Sequence, residues 1–274
     1  MIPFSNDKPF TLISGPCQLQ DEDHCFFMVD KLLSLTNKLN IPFIFKTSFD
    51  KANRTSVHSK RGVGLNEGLN IFWKLKRRFP ELRLLTDVHE THQVNYLQDV
   101  VDILQVPAFL CRQTDLIASI VTKGIQINIK KGQFMSPYAV KDIVEKCRHY
   151  GDRDLKRVII TERGTTFGYQ NLVVDMTGLQ IIKHNNRTVP IIIDGTHSVQ
   201  QPATSQGKSG GNRSLVPNLV KAALTYKLAG VFIETHEDPD NAPSDGPNAV
   251  HLKDMPKILT ELQQYDNFIK EVKQ

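Results

Sequence analysis

The sequence lacks any stretch that approaches the ~20 consecutive apolar residues of a membrane-spanning helix. Its N-terminus, MIPFSNDKPF, also lacks the basic segment followed by an apolar one that marks a secretory signal. We therefore expect a cytoplasmic protein. The composition is neither disordered nor fibrous, because 40% of the 274 residues are apolar and 23% are charged, which suits a globular chain with a sizeable core.

Cysteine is scarce and unpatterned. The four cysteines, Cys17, Cys25, Cys111 and Cys147, show no CxxC spacing and no secretory context, so a disulfide framework is not expected. Long runs of one charge sign are missing as well: 34 Lys and Arg against 29 Asp and Glu give a net charge of +5. This balance disfavours nucleic-acid binding but suits small anionic substrates, provided that the positive side chains converge on one site.

A regular alternation of patterns fills the chain. Eight Val-, Ile- and Phe-rich runs predict strands at Thr11–Ser14, Pro42–Lys46, Arg83–Asp87, Val101–Val106, Ile125–Ile129, Arg157–Thr161, Val189–Asp194 and Gly230–Glu234. Helical periodicity predicts helices at Asp23–Leu39, Asn66–Phe79, Thr91–Leu97, Thr114–Lys123, Ala139–Tyr150, Met176–Lys183, Asn218–Leu228 and Met255–Val272.

This alternation indicates an α/β fold, because apolar parallel strands need helical crossovers that cover both their faces. Eight repeats predict closure as a (β/α)8 TIM barrel. An open doubly wound sheet is the main alternative, but its GxGxxG fingerprint is missing after the first strand, where Ser14-Gly15-Pro16-Cys17 stands. No low-complexity linker divides the chain, so residues 1–274 are expected to form one catalytic domain.

Two connections are unusually long and rich in Gly, Pro, Ser and Asn. Gly195–Pro217 and Thr235–Leu252 each follow a predicted strand, which places them at the C-terminal face of a barrel. Loops of this length in a compact domain commonly close over a site. A plain surface loop is the alternative.

Cationic residues follow several of the predicted strands, and a barrel brings these strand ends to one mouth. They are Lys46, Lys51, Arg54, Lys130 and Arg163. So many cations in one cleft would repel one another unless anions occupied it, so the site is expected to bind more than one anionic group. Phosphate groups suit such a site, because an arginine can donate two parallel hydrogen bonds to phosphate oxygens and a lysine supplies a compact positive charge.

A second set of residues has the chemistry of metal ligands. Cys17, His197 and Glu234 follow strands one, seven and eight, which are neighbours in a closed barrel, and Asp245 can fold back from the last long loop. Thiolate, imidazole and carboxylates accept Zn²⁺, Fe²⁺, Mn²⁺ or Co²⁺. These residues are scattered in sequence, and on spacing alone a buried structural Cys17 is preferred.

Seven segments carry a resemblance that extends from Gly15 to beyond Asp245. They are Lys46–Ser56 (KTSFDKANRTS), Thr86–Glu90 (TDVHE), Gln105–Asp115 (QVPAFLCRQTD), Asn128–Phe134 (NIKKGQF), Thr161–Asn171 (TERGTTFGYQN), Asp194–Gln200 (DGTHSVQ) and Ser209–Arg213 (SGGNR). The chain resembles the 3-deoxy-D-manno-octulosonate 8-phosphate (KDO8P) synthases. That resemblance implies a (β/α)8 transferase, usually a homotetramer, that condenses phosphoenolpyruvate with arabinose 5-phosphate and releases phosphate, on the route to the Kdo sugar of lipopolysaccharide.

A related synthase shares the barrel but uses erythrose 4-phosphate. It typically has Lys-Pro-Arg-Thr where this chain has Lys51-Ala-Asn-Arg54-Thr55. Asn53 resembles the residue that contacts the pentose, so the resemblance favours arabinose 5-phosphate.

The resemblance also implies roles for individual residues. Phosphoenolpyruvate would be held by Lys51, Lys130 and Arg163, with Lys46, Ser48 and Gln105 beside them. Arabinose 5-phosphate would be held by Asn53, Arg54 and Thr55, with Asp87 and His89 between the two substrates. Arg112 is similar to an arginine that reaches the sugar phosphate of a neighbouring subunit, so an oligomer would be required for full activity.

The family has a metal-dependent branch with cysteine after the first strand and a metal-independent branch with asparagine there. Cys17 places this chain in the first, and with His197, Glu234 and Asp245 it resembles the complete metal site. The resemblance thus reverses the preference for a structural cysteine. Departures from the family are small: Thr47 and Thr55 replace serine, and Asn212 replaces a frequent methionine.

The chemistry leaves alternatives open at this stage. The metal could lower the pKa of the attacking water or fix the aldehyde and the surrounding ligands. Asp87 and His89 are candidates for proton transfer by residue type. A Schiff-base aldolase with Lys130 as nucleophile, and a non-catalytic barrel that binds sugar phosphates, remain alternatives of other classes.

Overall fold

A computed structural model describes residues 4–54, 56–167, 171–201 and 210–272 of the chain. Eight principal strands occur: β1 (Thr11–Gly15), β2 (Phe43–Lys46), β3 (Leu84–Asp87), β4 (Ile103–Val106), β5 (Gln126–Lys130), β6 (Val158–Glu162), β7 (Ile191–Asp194) and β8 (Gly230–His236). Each begins and ends within two residues of its predicted bounds. The prediction succeeds because fully buried strands are continuous apolar runs.

Helices follow the strands in strict alternation. They are α1 (Glu22–Leu39), α2 (Leu65–Arg78), α3 (Thr91–Leu97), α4 (Thr114–Val121), α5 (Val140–His149), α6 (Met176–Asn185), α7 (Val216–Leu224) and α8 (Met255–Glu271). α1 shows why the local sequence works: the Asp21 carboxylate accepts the N–H of His24 at 2.8 Å, and Asn40 ends the helix in the left-handed region at φ 53°.

The sheet closes on itself. All neighbours are parallel, and β1 pairs with both β2 and β8, with Thr11 opposite Gly230 and Gly15 opposite Glu234. This pairing confirms the predicted (β/α)8 barrel and excludes the open sheet, in which the first and last strands would not meet. Closure also brings the metal-ligand candidates after β1 and β8 to adjacent strands.

Side chains alternate between two apolar layers along each strand. The barrel interior is filled by Ile13, Ile44, Leu85, Ile103, Ile159, Ile192 and Phe232, with Phe4 packed beneath them. The other face of the strands packs on the helices in a larger core. Above the interior layer the inward positions become polar, so that the strand ends present functional groups to the mouth of the barrel.

The bounds of α7 and β8 differ from their predictions for identifiable reasons. α7 was expected at Asn218–Leu228 but begins at Val216, because Pro217 occupies the first turn, where a missing N–H costs nothing. The helix ends early, with Lys227 in the left-handed region at φ 52°. β8 continues past Glu234 to His236, because Thr235 and His236 pair with Val250 and His251 of the following loop.

Both long loops return over the C-terminal face. In Gly195–Pro217, Gln200–Gln201 pairs with Gly210–Gly211, while residues 202–209 lie outside the described ranges. After β6, Thr165–Thr166 pairs with Leu172–Val173. No helix in the described part of the chain has the length and apolar character needed to cross a membrane.

Candidate active site

A cavity of about 800 Å³ opens at the C-terminal face of the barrel. Its wall comes from residues at or just beyond the ends of several strands. Predicted site residues that line it are Lys46, Lys51, Asn53, Arg54, Asp87, His89, Gln105, Lys130, Arg163, His197 and Asp245. The mouth that the sequence predicts is therefore present, and both long loops contribute to it.

Lys46 stands at the centre of the cavity floor. Its Nζ donates to the carbonyl oxygen of Cys17 at 3.3 Å, to Ser48 Oγ at 2.9 Å and to Glu234 Oε1 at 3.2 Å. Ser48 Oγ in turn donates to Asp87 Oδ1. This buried ammonium thus connects the ends of β1, β2, β3 and β8, and its charge is already neutralised by protein carboxylates.

Lys130 and His197 share one carboxylate. Asp194 Oδ2 accepts from Lys130 Nζ and lies 2.7 Å from His197 Nδ1. The Lys130 ammonium also sits 3.2 Å above the centre of the Phe232 ring, in cation–π contact. Burial lowers the pKa of Lys130 to about 8, although Asp194 opposes the shift.

Arg163 reaches the opposite wall from the start of the loop after β6. Its Nη2 donates to Gln200 Oε1 at 3.0 Å, and Gln200 Nε2 donates to Asp245 Oδ1 at 2.8 Å. Among the residues described, none pairs with the buried Nη1 of Arg163. A buried guanidinium with a free donor favours an anionic ligand, because an unmade hydrogen bond to a charge is costly.

Four ligand-type side chains converge beside Lys46. Single donor atoms of Cys17, His197, Glu234 and Asp245 all lie within 4.8 Å of one another. Cys17 Sγ is 3.1 Å from Asp245 Oδ2, and His197 Nε2 is 3.7 Å from Glu234 Oε2 and 3.8 Å from Asp245 Oδ2. The sequence expectation that these residues meet across the seam between β1 and β8 is correct.

The donor set fits a divalent transition metal. Glu234 Oε2 is buried and lacks a hydrogen-bond partner within the described ranges, so it is free to bind a cation. Asp194 contacts His197 Nδ1 and so orients the ring with Nε2 toward the other ligand-type side chains. Carboxylates commonly orient metal-binding histidines in this way. One thiol, one imidazole and two carboxylates form a borderline-soft donor set.

The acids at this site are held ionised. Burial opposes ionisation, but His197 and Lys46 hold the pKa of Glu234 below its ordinary value. Burial also opposes ionisation of Asp245, but His197 and Lys51 lower the pKa of its carboxyl group to about 2. For Cys17, burial and the Glu234 charge raise the pKa of the thiol, and a bound divalent cation would counter both effects.

Asp87 and His89 form a separate pair near the middle of the cavity. His89 Nε2 lies 3.2 Å from Asp87 Oδ2. Despite burial, Lys46 and the hydrogen bond from His89 hold the pKa of Asp87 far below its ordinary value. Asp87 is thus an ionised acceptor, and His89 is the member of the pair better suited to give or take a proton.

The loop after β2 forms the outer end of the cavity. Arg54 Nη2 donates to Gln18 Oε1 at 3.0 Å and to the carbonyl oxygen of Pro243 at 2.7 Å. Asn53 and Lys51 line the cavity beside it. Although burial opposes protonation, Cys17, Asp87 and other nearby acids raise the pKa of Lys51 above its usual value. Thr55, predicted as a ligand of the sugar phosphate, lies outside the described residues.

Ser48 and Arg112 are the predicted substrate contacts that do not line the cavity. Ser48 is buried beneath Lys46 and Asp87, where it supports both side chains. Arg112 is exposed beyond β4, and its carbonyl oxygen accepts from Lys146 Nζ at 2.7 Å. Arg112 does not line the cavity of its own chain.

The cations at the mouth are accompanied by carboxylates. Four lie in or beside the cavity: Asp87, Asp194, Glu234 and Asp245. Lys46 pairs with Glu234 and Lys130 with Asp194. The mouth is nearly neutral as it stands, and a divalent cation would restore its positive potential.

Two residues at the site were not among those predicted. Asp194 links Lys130 to His197, and Gln200 links Arg163 to Asp245. Asp194 was visible as a carboxylate that ends a predicted strand three residues before His197. Gln200 offers no such signal, because its role depends on how the loop after β7 folds.

Comparison with known proteins agrees with this geometry. Residues 2–271 match the family model described as the DAHP synthetase I family. The chain belongs to that family.

Relatives of this DAHP synthetase I family chain include proteins from three Rickettsia species named "2-dehydro-3-deoxyphosphooctonate aldolase". Those of Rickettsia bellii (strain OSU 85-389) and Rickettsia conorii (strain ATCC VR-613 / Malish 7) are 49% and 50% identical over 270 residues, which is 98% of this chain and 96% of each relative. That of Rickettsia prowazekii (strain Madrid E) is 49% identical over 271 residues, 99% of this chain and 96% of the relative. The printed name is another name for the octulosonate 8-phosphate synthase, so the resemblance stated from the sequence is confirmed.

Proposed function

We propose that this chain condenses phosphoenolpyruvate with D-arabinose 5-phosphate and water to give 3-deoxy-D-manno-octulosonate 8-phosphate and inorganic phosphate. The observation that carries the proposal is the near-half identity, over nearly the whole of both chains, to relatives whose printed name is that of the octulosonate enzyme. The cavity supports it independently. It offers cationic groups for two phosphorylated substrates together with a buried ligand set for a metal.

Phosphoenolpyruvate would bind at the inner end of the cavity. Lys130, Arg163 and Lys51 would take its phosphate and carboxylate, with Lys46, Ser48 and Gln105 around them. The unpaired Nη1 of Arg163 supports this placement, because an anionic oxygen there satisfies a buried donor. Arabinose 5-phosphate would bind at the outer end through Asn53, Arg54 and Thr55, and Arg112 would serve the cavity of a neighbouring subunit in a homotetramer.

The reaction forms a carbon–carbon bond at C3 and a carbon–oxygen bond between C2 and water, and it breaks the bond between C2 and the phosphate oxygen. Of the two protons of the water, one replaces the proton given to the aldehyde oxygen and the other leaves with the phosphate. C3 of phosphoenolpyruvate attacks the sugar aldehyde carbon while water adds to C2, and the tetrahedral centre at C2 then expels inorganic phosphate. Negative charge develops on the aldehyde oxygen, and His89, oriented by Asp87, would give it a proton. Lys46 and Lys130 are held by ion pairs with Glu234 and Asp194, so they would stabilise the developing charge without reorganising.

Cys17, His197, Glu234 and Asp245 would hold a divalent metal, with Zn²⁺, Fe²⁺, Mn²⁺ and Co²⁺ all compatible with the donor set. Such an ion supplies Lewis-acid stabilisation of negative charge on a neighbouring oxygen. Asp194 would keep His197 oriented toward it, and Lys46 would hold Glu234 ionised. Phosphorylated substrates are metabolites of the cell interior, so we infer one cytoplasmic catalytic domain spanning residues 1–274.

The testing experiment measures phosphate released from phosphoenolpyruvate with arabinose 5-phosphate or erythrose 4-phosphate, before and after chelation and after Mn²⁺, Zn²⁺ or Co²⁺ is restored. We expect release only with arabinose 5-phosphate, lost on chelation and recovered with metal. Phosphate release that is unaffected by the chelator would support the condensation activity but contradict a role for a bound metal. Release only with erythrose 4-phosphate would overturn the assignment of Asn53.

A Schiff-base aldolase with Lys130 as nucleophile is the second candidate, since its pKa of about 8 leaves some neutral amine at physiological pH. Its contacts with Asp194 and Phe232 oppose this role, because both stabilise the ammonium form. Borohydride added with substrate would trap a covalent adduct on Lys130 if that chemistry occurred. We expect no adduct.

A further inference from the structure

Arg213 joins the two long loops of the C-terminal face. It stands near the end of the loop after β7, three residues before α7. Its Nη2 donates to Asp240 Oδ1 at 2.6 Å and to the carbonyl oxygen of Gly246 at 2.9 Å. Its Nη1 lies 2.7 Å from His251 Nε2, which accepts, because a guanidinium only donates. One side chain of the first loop thus contacts the start, the middle and the end of the loop after β8.

The backbone of the second loop also rests on the first. The backbone N–H of Arg213 donates to the carbonyl oxygen of Pro247 at 3.1 Å. The next residue, Asn248, is 1% exposed and packs so closely on Gly211 that no room remains for a Cβ at that glycine. The two loops are therefore in direct contact along three consecutive residues, Gly246 to Asn248.

These contacts follow directly on a residue of the candidate metal site. Asp245 has its backbone in the left-handed region at φ 51°. Residues other than glycine seldom adopt this conformation, so the surrounding structure has to hold it. The carbonyl oxygen of Asp245 accepts two backbone N–H groups from within its own loop, and the next two carbonyl oxygens along the chain accept from Arg213. The first loop thus helps to set the backbone on which the Asp245 side chain stands.

The position of the Asp245 carboxylate depends on that backbone. Its Oδ2 lies 3.1 Å from Cys17 Sγ and 3.8 Å from His197 Nε2, and its Oδ1 accepts from Gln200 Nε2 at 2.8 Å. Gln200 belongs to the same loop as Arg213. The first loop therefore holds Asp245 in two ways, by its side chain through Gln200 and by its backbone through Arg213.

We propose that Arg213 is a positioning residue for the metal site, which holds the Asp245 carboxylate against Cys17 and His197 by fixing the backbone that follows Asp245. The proposal rests on the metal site of the proposed function and adds a residue to it. Arg213 does not line the cavity, and in the described part of the chain no hydrogen bond or ion pair joins it to the four ligand-type side chains. Its effect on a bound metal would therefore pass through the loop.

Titration of full-length, chelator-treated protein with Co²⁺ tests this role. The signal is the thiolate-to-metal charge-transfer band expected of cobalt at Cys17. We expect Arg213→Met to weaken Co²⁺ binding about 10–100-fold, the usual cost of losing a group that orients a ligand. Lys221→Met is the matched control, because it breaks an ion pair of 2.7 Å between α7 and Glu261 of α8 and should leave Co²⁺ affinity unchanged.

An Asp245→Ala background tests whether the effect passes through Asp245. There Arg213→Met should change Co²⁺ affinity by no more than about twofold, because the carboxylate that it positions is already gone. Circular-dichroism melts check that each variant folds. Arg213→Lys, which keeps the charge but not the paired hydrogen bonds, should weaken binding less and serves for the same comparison if the methionine variant does not fold.

The outcomes separate this inference from the proposed function. An unmodified chain that binds no Co²⁺ would overturn the proposed metal site and the role of Arg213 together. If the unmodified chain binds Co²⁺ and a folded Arg213 variant binds it as tightly as Lys221→Met does, the role of Arg213 alone is overturned. The same conclusion follows if the Arg213 substitution weakens binding equally with and without the Asp245 carboxylate.

Discussion

Asp194 is the residue that joins the two chemical parts of the cavity. A single oxygen of its carboxylate contacts both the Lys130 ammonium and the His197 imidazole. Burial opposes ionisation of Asp194, but these two neighbours hold its pKa well below its ordinary value. Any change at this carboxylate should therefore affect metal affinity and phosphoenolpyruvate binding together.

Asp194→Asn tests this coupling. Because the amide is neutral and can present a donor to His197, we expect metal affinity to fall about 10–100-fold. The KM for phosphoenolpyruvate should rise in the same variant, since Lys130 loses its counter-ion. Metal titration and steady-state kinetics measure the two effects. Asp175→Asn, which changes the exposed N-cap residue of α6, is the control and should alter neither.

Lys130 should give the enzyme an alkaline limit. A lysine is charged below its pKa, so a pKa of about 8 means that the ammonium available for phosphoenolpyruvate falls tenfold per pH unit above that value. We expect kcat/KM for phosphoenolpyruvate to decline with unit slope above about pH 8. Lys130→Arg, which stays charged, should remove this decline at some cost in rate. A wild-type profile that stays flat well beyond pH 8 would contradict the assignment.

Among the elements, the junction of β5 and β6 shows how alternation along a strand divides two adjacent lysines. Lys130 points into the barrel, whereas Lys131 points to the outer layer and is 1% exposed. Its Nζ donates to the carbonyl oxygens of Gly132 and Met135 and to Thr165 Oγ1, and lies 3.5 Å from Glu162 Oε2. Glu162 Oε1 accepts the N–H of Arg163 at 2.9 Å. Lys131 thus fixes the loop from which Arg163 extends.

Lys131→Met should consequently destabilise the fold and disturb the site. Breaking one partner of a buried ion pair costs about 3–5 kcal/mol, because Glu162 would keep its charge without the ammonium. Urea unfolding measures this loss, and the KM for phosphoenolpyruvate should rise while kcat changes less. Lys141→Met, at an exposed position on α5, should leave both unchanged. An equally stable Lys131 variant with normal KM would show that Arg163 is positioned by other contacts.

The strands and helices could be predicted from the sequence, because each strand is an apolar run and the helices have apolar faces. The sequence was also sufficient for most cavity residues, since barrel topology gathers whatever follows the strands. Periodicity alone could not separate Lys130 from Lys131, because a one-residue shift in register exchanges the two faces of a strand, and only the family resemblance singled out Lys130. The extension of β8 to His236 was likewise not predictable, because a pairing with Val250 and His251 of the following loop decides it.

At the scale of the whole molecule, the barrel closes where β1 pairs with β8, and the metal-ligand candidates lie on both sides of this seam. Cys17 follows β1, whereas Glu234 belongs to β8 and Asp245 to the loop beyond it. Lys46 reinforces the same seam through the Cys17 carbonyl oxygen and the Glu234 carboxylate. A metal that binds only the closed ring should therefore stabilise the entire fold.

Chelation should lower the melting temperature. A ligand at 100 times its Kd stabilises the native state by about 2.7 kcal/mol. At roughly 2–4 °C per kcal/mol for a chain of this size, we expect a loss of about 5–10 °C on metal removal, measured by calorimetry. The Cys17→Ala/His197→Ala variant is the control, and its melting temperature should not respond to chelator. An unmodified chain that melts at the same temperature with and without chelator would contradict metal binding.

The pairing of β1 with β8 also determines when the barrel can close during synthesis of the chain. Thr11 leaves the ribosome early, but its partner Gly230 is translated only near the end of the chain. Until then β1 has an open edge and Cys17 has neither Glu234 nor Asp245 beside it. A nascent chain therefore cannot assemble the complete four-residue set, and a polypeptide truncated before β8 would have no means of doing so. The full ligand set is therefore acquired only after β8 and the loop that carries Asp245 have been translated.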